Sequence, residues 1–252
     1  MPALRYRIAH HVRMIQRWLW RRARPSVNRF GLDLVRLDAF PFIRHIERLN
    51  VTVVLDVGAN IGQTGDMLRR NGYRGKIVSF EPISDAYALL SQAARADGAW
   101  YSEHCAVGSV NGQIDINVSD HSTMSSVREI KAETTAAFAF ATVVGKETVE
   151  IRTLDDMFSD HVGSDDVVLL KMDVQGFEDE VLKGAQQSLA RITLVLLEAA
   201  VKPAYRDESR LFDHYKYLED RGYQLIDITE ALRDAGGRLL YVDCLFERIS
   251  PT

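Results

Sequence analysis

Val53-Val-Leu-Asp56-Val-Gly58-Ala-Asn60-Ile-Gly62-Gln63 is an apolar, β-branched run that passes through a glycine-containing turn into the start of a helix. Gly58 permits a sharp backbone turn and the approach of a ligand where a Cβ would collide, and Gly62 does the same about one helical turn on. Asp56 is expected to point a carboxylate into the crevice at the strand's end. The two glycines are four residues apart with Asn60 between them, so the stretch is not the G-x-G-x-x-G turn that cradles a dinucleotide pyrophosphate. An acid beside such a turn disfavours a pyrophosphate and suits an ammonium-bearing ligand.

Outward from this unit, short apolar runs at 76–80, 100–107, 167–172 and 193–197 alternate with helical patterns at 61–71, 84–95, 176–189 and 211–221. Runs at 224–228 and 239–246 read as two further strands. Continuous apolar strands separated by helices indicate a doubly wound α/β fold, three layers deep, with a mainly parallel sheet. One section departs from the rhythm. Segments 113–118 and 147–151 alternate apolar and polar residues as half-buried strands do. Between them, residues 119–146 are rich in Ser, Thr and Ala. A small antiparallel insertion carrying a lid is expected there.

The second strand ends Val78-Ser-Phe80-Glu81-Pro82. An acid at this point of a doubly wound domain accepts hydrogen bonds from ribose hydroxyls. Asp56 and Glu81 together fit a nucleoside that carries an amino acid, namely S-adenosylmethionine. Gly58, Ala59, Asn60 and Gly62 form the turn facing it, Pro82 follows the ribose acid, and Cys105 and Ala106 stand where an adenine would lie.

Here the chain resembles the FkbM family of class I methyltransferases, from about Val53 to Tyr223. Beyond the glycine turn, the resemblance rests on the block Leu169-Leu-Lys171-Met-Asp173-Val-Gln175-Gly176-Phe-Glu178, continued by Val181-Leu-Lys183-Gly184-Ala185. Leu197-Glu198 followed by Pro203 and Tyr205 matches as well, as do the Ser122–Ser126 cluster and Arg152-Thr153-Leu154-Asp155. The resemblance implies a Rossmann-like, seven-stranded sheet and methyl transfer from S-adenosylmethionine. The implied acceptor is a hydroxyl of a sugar, glycolipid or polyketide-like product.

Transfer to an alcohol releases a proton, so a base or a metal belongs near the reacting oxygen. Asp173 closes a buried strand at the crevice, and Lys171, two residues earlier, emerges on the same side. Glu178 and Glu198 are the next nearest acids. Each also has a structural reading: Glu178 favours a helix N-terminus, and Lys171 neutralises Asp173. His121, among lid hydroxyls, titrates in the useful range but also reads as an exposed loop residue. A divalent metal would use Asp173 with a neighbouring carboxylate, although the chain has no dedicated ligand motif.

The remaining features frame this core. With 46% apolar and 26% charged residues in 252, the chain is neither disordered nor low-complexity. Two cysteines exclude a disulfide framework and suggest a reducing, cytoplasmic setting. No apolar run approaches the roughly 18 residues that span a bilayer. Residues 1–32 hold eight Arg and no acid, leaving 23 basic against 35 acidic residues, a net −12, in the rest. Leu4, Ile8, Val12, Ile15 and Leu19 fall on one face of a helix within that front end. Residues 1–39 thus read as a basic amphipathic arm and 40–252 as the methyltransferase domain. Residues 1–24 would contact an anionic membrane, pack on their own domain or join a homodimer. The acidic body argues against nucleic acid as substrate. The competing functions are a catalytically silent cofactor-fold module and a nucleic-acid methyltransferase.

Overall fold

The computed structural model describes residues 42–119, 125–131 and 142–249. Helix α1 (Ile43–Leu49) leads into strand β1 (Val53–Val57), every residue of which is buried. There follow α2 (Gln63–Arg70), β2 (Lys76–Phe80), α3 (Ser84–Arg95), β3 (Trp100–Glu103) and the short β4 (Ala106–Val107). Strands β5 (Gly112–Ser119) and β6 (Val143–Arg152) precede α4 (Leu154–His161), β7 (Val168–Met172) and α5 (Glu178–Lys183). The last elements are β8 (Leu194–Ala200), α6 (Leu211–Glu219), β9 (Tyr223–Arg233) and β10 (Leu239–Arg248).

Seven strands form one sheet in the order β3-β2-β1-β7-β8-β10-β9. β10 runs antiparallel to both its neighbours, and the other pairings of this sheet, from β3 through to β8, are parallel. Because successive strand residues point to opposite faces, each central strand feeds two cores. Val53, Leu55 and Val57 pack with residues of α4 and α5 on one face, while Val54 packs with Met67, Leu68 and Leu90 of α2 and α3 on the other. Each of these buried side chains contributes roughly 1.5–3 kcal/mol of transfer free energy. The chain winds from β1 to β3 on one side and from β7 onward on the other. The order therefore reverses between β1 and β7, and their carboxyl ends open a crevice.

The expected 100–107 strand is two strands in different sheets, since the chain breaks pairing at His104–Cys105. Its second part joins a three-stranded sheet, β4-β6-β5, in which β5 and β6 pair antiparallel. The expected 176–189 helix is shorter and is followed by a separate 3₁₀ turn, Ser188–Arg191. Helices α1 and α4 were not expected. α4 starts at Thr153, whose hydroxyl accepts the Asp156 N–H as an N-cap. Its sequence signal, Thr153 followed three residues later by an acid, was present all along. Residues 1–24 and His121 lie outside the described residues, as does most of the expected lid.

Candidate active site

One register position before the carboxyl ends of the central strands, Asp56 stands opposite Ser79 of β2 and Lys171 of β7. In-register parallel neighbours share a face, so the three side chains form a polar row inside an otherwise apolar sheet. Lys171 Nζ lies 3.0 Å from Asp56 Oδ1 and 3.7 Å from Asp173 Oδ2. The Ser79 hydroxyl donates to Asp56 Oδ2 at 3.4 Å and accepts the Trp100 indole N–H at 3.0 Å. The lysine side chain is 12% exposed, and against the effect of burial the neighbouring carboxylates, Asp56 first, hold its pKa above the usual lysine value.

Asp56 is fully buried and does not line the crevice, which corrects the expectation of a carboxylate pointing into it. The lysine of β7 supplies the ammonium that a ligand was expected to bring. Gly62 also sits elsewhere than expected. It caps α2 at φ +96°, and a Cβ there would touch the Trp100 ring rather than a ligand. Gly58, at φ +75°, does line the crevice, yet its side-chain face is turned to β7. A Cβ would overlap the Asp173 carbonyl oxygen and lie 2.9 Å from its carbon. Glycine is required here by the neighbouring strand end.

Above this row lies a cleft of about 240 Å³. Gly58, Ala59, Asn60, Glu81, Pro82, Cys105, Ala106, Lys171 and Asp173, nine of the residues singled out from the sequence, line it. The β1–α2 turn is stitched to β2 by the Gly58 and Ala59 N–H groups, which donate to the Phe80 carbonyl at 3.0 and 3.1 Å. Glu81 accepts the Asn60 N–H at 2.7 Å on one oxygen and the Ile83 N–H at 2.9 Å on the other. Burial pushes its pKa up to about 7, against the pull of these two backbone donors. Ile83, Ala106, Ile116, Val127 and Phe177 give the cleft an apolar wall. Cys105 is buried against Met157, with its thiol pushed up to about 12 by burial.

Asp173 is the most open of the acids, its side chain 44% exposed. Its carboxylate accepts the Gln175 side-chain N–H at 2.8 Å. Glu178 is placed differently from the expectation of an acid facing the reacting atoms. It is buried, and its carboxylate accepts the Val174 and Gly176 N–H groups at 2.9 and 3.4 Å, shaping the β7–α5 turn from beneath. Burial pushes its pKa up to about 8. Glu198, on β8, lies behind Gln175 and does not line the cleft. Burial and the nearby Asp173 raise its pKa well above the carboxylate range. Asp243, paired opposite Glu198, is pushed up to about 6 by burial and then Asp173. Among the described residues, no group of three or more His, Cys, Asp or Glu is arranged to hold a metal ion.

Sequence reading gave no role to Val127, Gln175 or Tyr205. Ser125, Ser126 and Val127 line the cleft, with the Ser126 hydroxyl donating to the Gln175 carbonyl at 2.7 Å and its backbone bridging to Asn117. Ser125 and Ser126 belong to the hydroxyl cluster singled out from the sequence. Gln175 and Tyr205 were quoted within matching blocks but given no role. A polar residue immediately before Gly176 in a tight turn was the available signal.

A mainly parallel seven-stranded sheet with β10 reversed, and a cleft over the carboxyl ends of β1, β2 and β7, defines the class I methyltransferase fold. The chain belongs to the methyltransferase FkbM domain family, whose model matches residues 56–225, and it is thereby an S-adenosylmethionine-dependent methyltransferase. It is similar to methyltransferase sdnD of Sordaria araneosa, at 27% identity over 77% of each chain. It is similar to the 2-O-methyltransferase NoeI of Sinorhizobium fredii, at 25% identity over 62% of this chain and 66% of that one. It also resembles the hexuronic acid methyltransferase AglP of Haloferax volcanii, at 29% identity over 65% of this chain and 62% of that one.

Proposed function

We propose that the chain transfers the methyl group of S-adenosylmethionine to a hydroxyl oxygen of a sugar, glycolipid or other sugar-bearing acceptor. The observation that carries this reading is the Glu81 carboxylate, buried at the end of β2 and lining the cleft. It accepts one backbone N–H on each oxygen, which leaves lone pairs for the two ribose hydroxyls of a nucleoside. Ile83, Ala106 and Phe177 offer an apolar wall for a flat base beside it. These residues fit the cofactor, whose sulfonium supplies an electrophilic methyl group when bound.

The chain's own groups then have separable tasks. Lys171 neutralises the buried Asp56 and holds one side of Asp173. Asp173, half-exposed at the cleft, takes the proton that the acceptor hydroxyl loses. Glu178 fixes the turn that carries Asp173. The names of two relatives, a 2-O-methyltransferase and a hexuronic acid methyltransferase, support oxygen as the target and a sugar as its bearer.

Calorimetry with S-adenosylhomocysteine, followed by label transfer from methyl-tritiated cofactor to hexuronates and neutral glycosides, tests the proposal. Binding that is lost in Glu81→Ala, with label in a sugar product, is expected. Absence of cofactor binding at millimolar ligand would refute it. The basic residues 1–24 serve placement in this reading, and their deletion should abolish binding to anionic vesicles while leaving cofactor affinity intact. Loss of a dimer on deletion, with vesicle binding absent from the start, would assign them to a subunit contact instead. No helix among the described residues is long and apolar enough to cross a membrane.

A further inference from the structure

Gln175 occupies the left-handed region at φ +56°, directly before Gly176 at φ +89°. Glycine takes this conformation without cost and glutamine does not, so the side chain is what recommends glutamine here. That side chain is used at both ends. Nε2 donates to Asp173 Oδ1 at 2.8 Å and reaches Glu198 Oε2 at 3.4 Å. Oε1 accepts the Tyr205 hydroxyl at 2.9 Å. The amide is not turned over, because Oε1 would then face the Asp173 carboxylate and Nε2 would leave it without its donor. Its backbone is pinned as well, by the Ser126 hydroxyl on the Gln175 carbonyl.

We propose that Gln175 is a positioning residue, which aims the Asp173 carboxylate at the acceptor hydroxyl and separates it from Glu198, with Tyr205 locking the amide. This rests on the reading of Asp173 as the base. The arrangement gives two neighbouring carboxyls different surroundings. Asp173 has an ammonium and an amide donor and opens to the cleft, whereas Glu198 is buried behind the amide, and that burial raises its pKa above the usual carboxylate range. Pairs of acids held apart in this way divide the work of ionised base and neutral neighbour. No proton needs to pass through Gln175. The hydroxyl proton goes to Asp173 as the oxygen–methyl bond forms and the cofactor's sulfur–methyl bond breaks, its electron pair staying on sulfur as S-adenosylhomocysteine, and the proton is released to water from the open side.

Gln175→Asn tests the reach of the side chain, because asparagine tolerates the left-handed backbone and falls one methylene short of Asp173. Turnover is expected to fall roughly 10–100-fold with the cofactor KM within about 3-fold, the pattern of lost orientation. Gln175→Glu supplies a donor only when protonated. The groups bearing on it are Lys171 of β7, Asp173 just beyond its end, Glu178 of α5, Glu198 of β8, Asp243 of β10 and Tyr205. Its activity relative to the wild type should therefore rise as pH falls. A loss that is the same at every pH would mark a merely structural role and overturn the proposal, as would full turnover in Gln175→Asn.

A second measurement needs no acceptor. In protein labelled with ¹⁵N-glutamine, the Gln175 side-chain amide, assigned by its disappearance in Gln175→Glu, should shift with pH in the wild type. The part of that shift due to Asp173 should disappear in Asp173→Asn, leaving only the response to Glu198. An amide that ignores pH, or one whose titration is unchanged in Asp173→Asn, would show that Gln175 does not hold Asp173. Should the wild type methylate no hydroxyl at all, the assignment of Asp173 as base falls. The amide titration would still decide whether Gln175 holds that carboxylate.

Discussion

Gly58→Ala separates a glycine needed for ligand approach from one needed for strand packing. Position 58 sits at φ +75°, where an L-residue costs roughly 1–2 kcal/mol. The added methyl would overlap the Asp173 carbonyl oxygen and lie 3.1 Å from a Val174 methyl. Overpacking of this kind costs typically 1–3 kcal/mol, and the backbone of a buried strand end yields less readily than a side chain. The two costs together come to about 2–5 kcal/mol. For a domain of this size, at roughly 2–4 °C per kcal/mol, that lowers Tm by about 5–20 °C. Thermal unfolding read by near-ultraviolet circular dichroism, with calorimetry on S-adenosylhomocysteine, measures both halves. Gly62→Ala is the internal comparison, because its methyl would meet the edge of the Trp100 ring at 3.0 Å and a side chain can shift. A Gly58→Ala protein that melts within 2 °C of the wild type yet has lost cofactor affinity would refute the packing argument.

Lys171→Met leaves the buried Asp56 without its ammonium and should cost about 3–5 kcal/mol in urea unfolding, much of it recovered in the double variant with Asp56→Asn. Cofactor affinity should fall about tenfold per unit as pH drops below about 7, because ribose hydroxyls need the ionised Glu81, and Glu81→Gln should be weak and flat across that range. Stability moves the opposite way. The folded pKa of Glu81 exceeds the unfolded one, so its contribution is complete below about pH 4.5 and is lost as pH rises through about 7, and Glu81→Gln should flatten that slope. Asp173→Asn should keep cofactor affinity within a few fold while lowering turnover by roughly 10²–10⁴, and near-normal turnover would make Asp173 structural.

The parallel core was legible because strands buried on both faces write themselves as continuous apolar runs, as Val53–Val57 and Val168–Met172 do. The positions of Glu81, Asn60 and Cys105 around one cleft were legible too, since each follows the end of a strand in a doubly wound order. What local pattern could not show was pairing between distant segments. Asp56 and Lys171 are 115 positions apart in the chain, and only the register of β1 against β7 reveals that the acid's partner is already in the protein. Gln175 was hidden for the same reason, because its three partners come from the end of β7, from β8 and from the loop before α6. Glu178 was misplaced because a helix N-terminal acid looks the same in sequence whether it faces solvent, substrate or its own turn.

The most direct test of the central claim uses S-adenosylmethionine labelled with ¹³C in its methyl group. The enzyme is incubated with hexuronates, neutral glycosides and lipid-linked sugars, and the product is examined by carbon–proton correlation spectroscopy. A methoxy signal correlated to a sugar ring carbon, appearing together with an equal amount of S-adenosylhomocysteine and lost in Asp173→Asn, is the predicted result. A labelled methyl on nitrogen or carbon, or cofactor that stays intact with every hydroxyl-bearing acceptor, would contradict it.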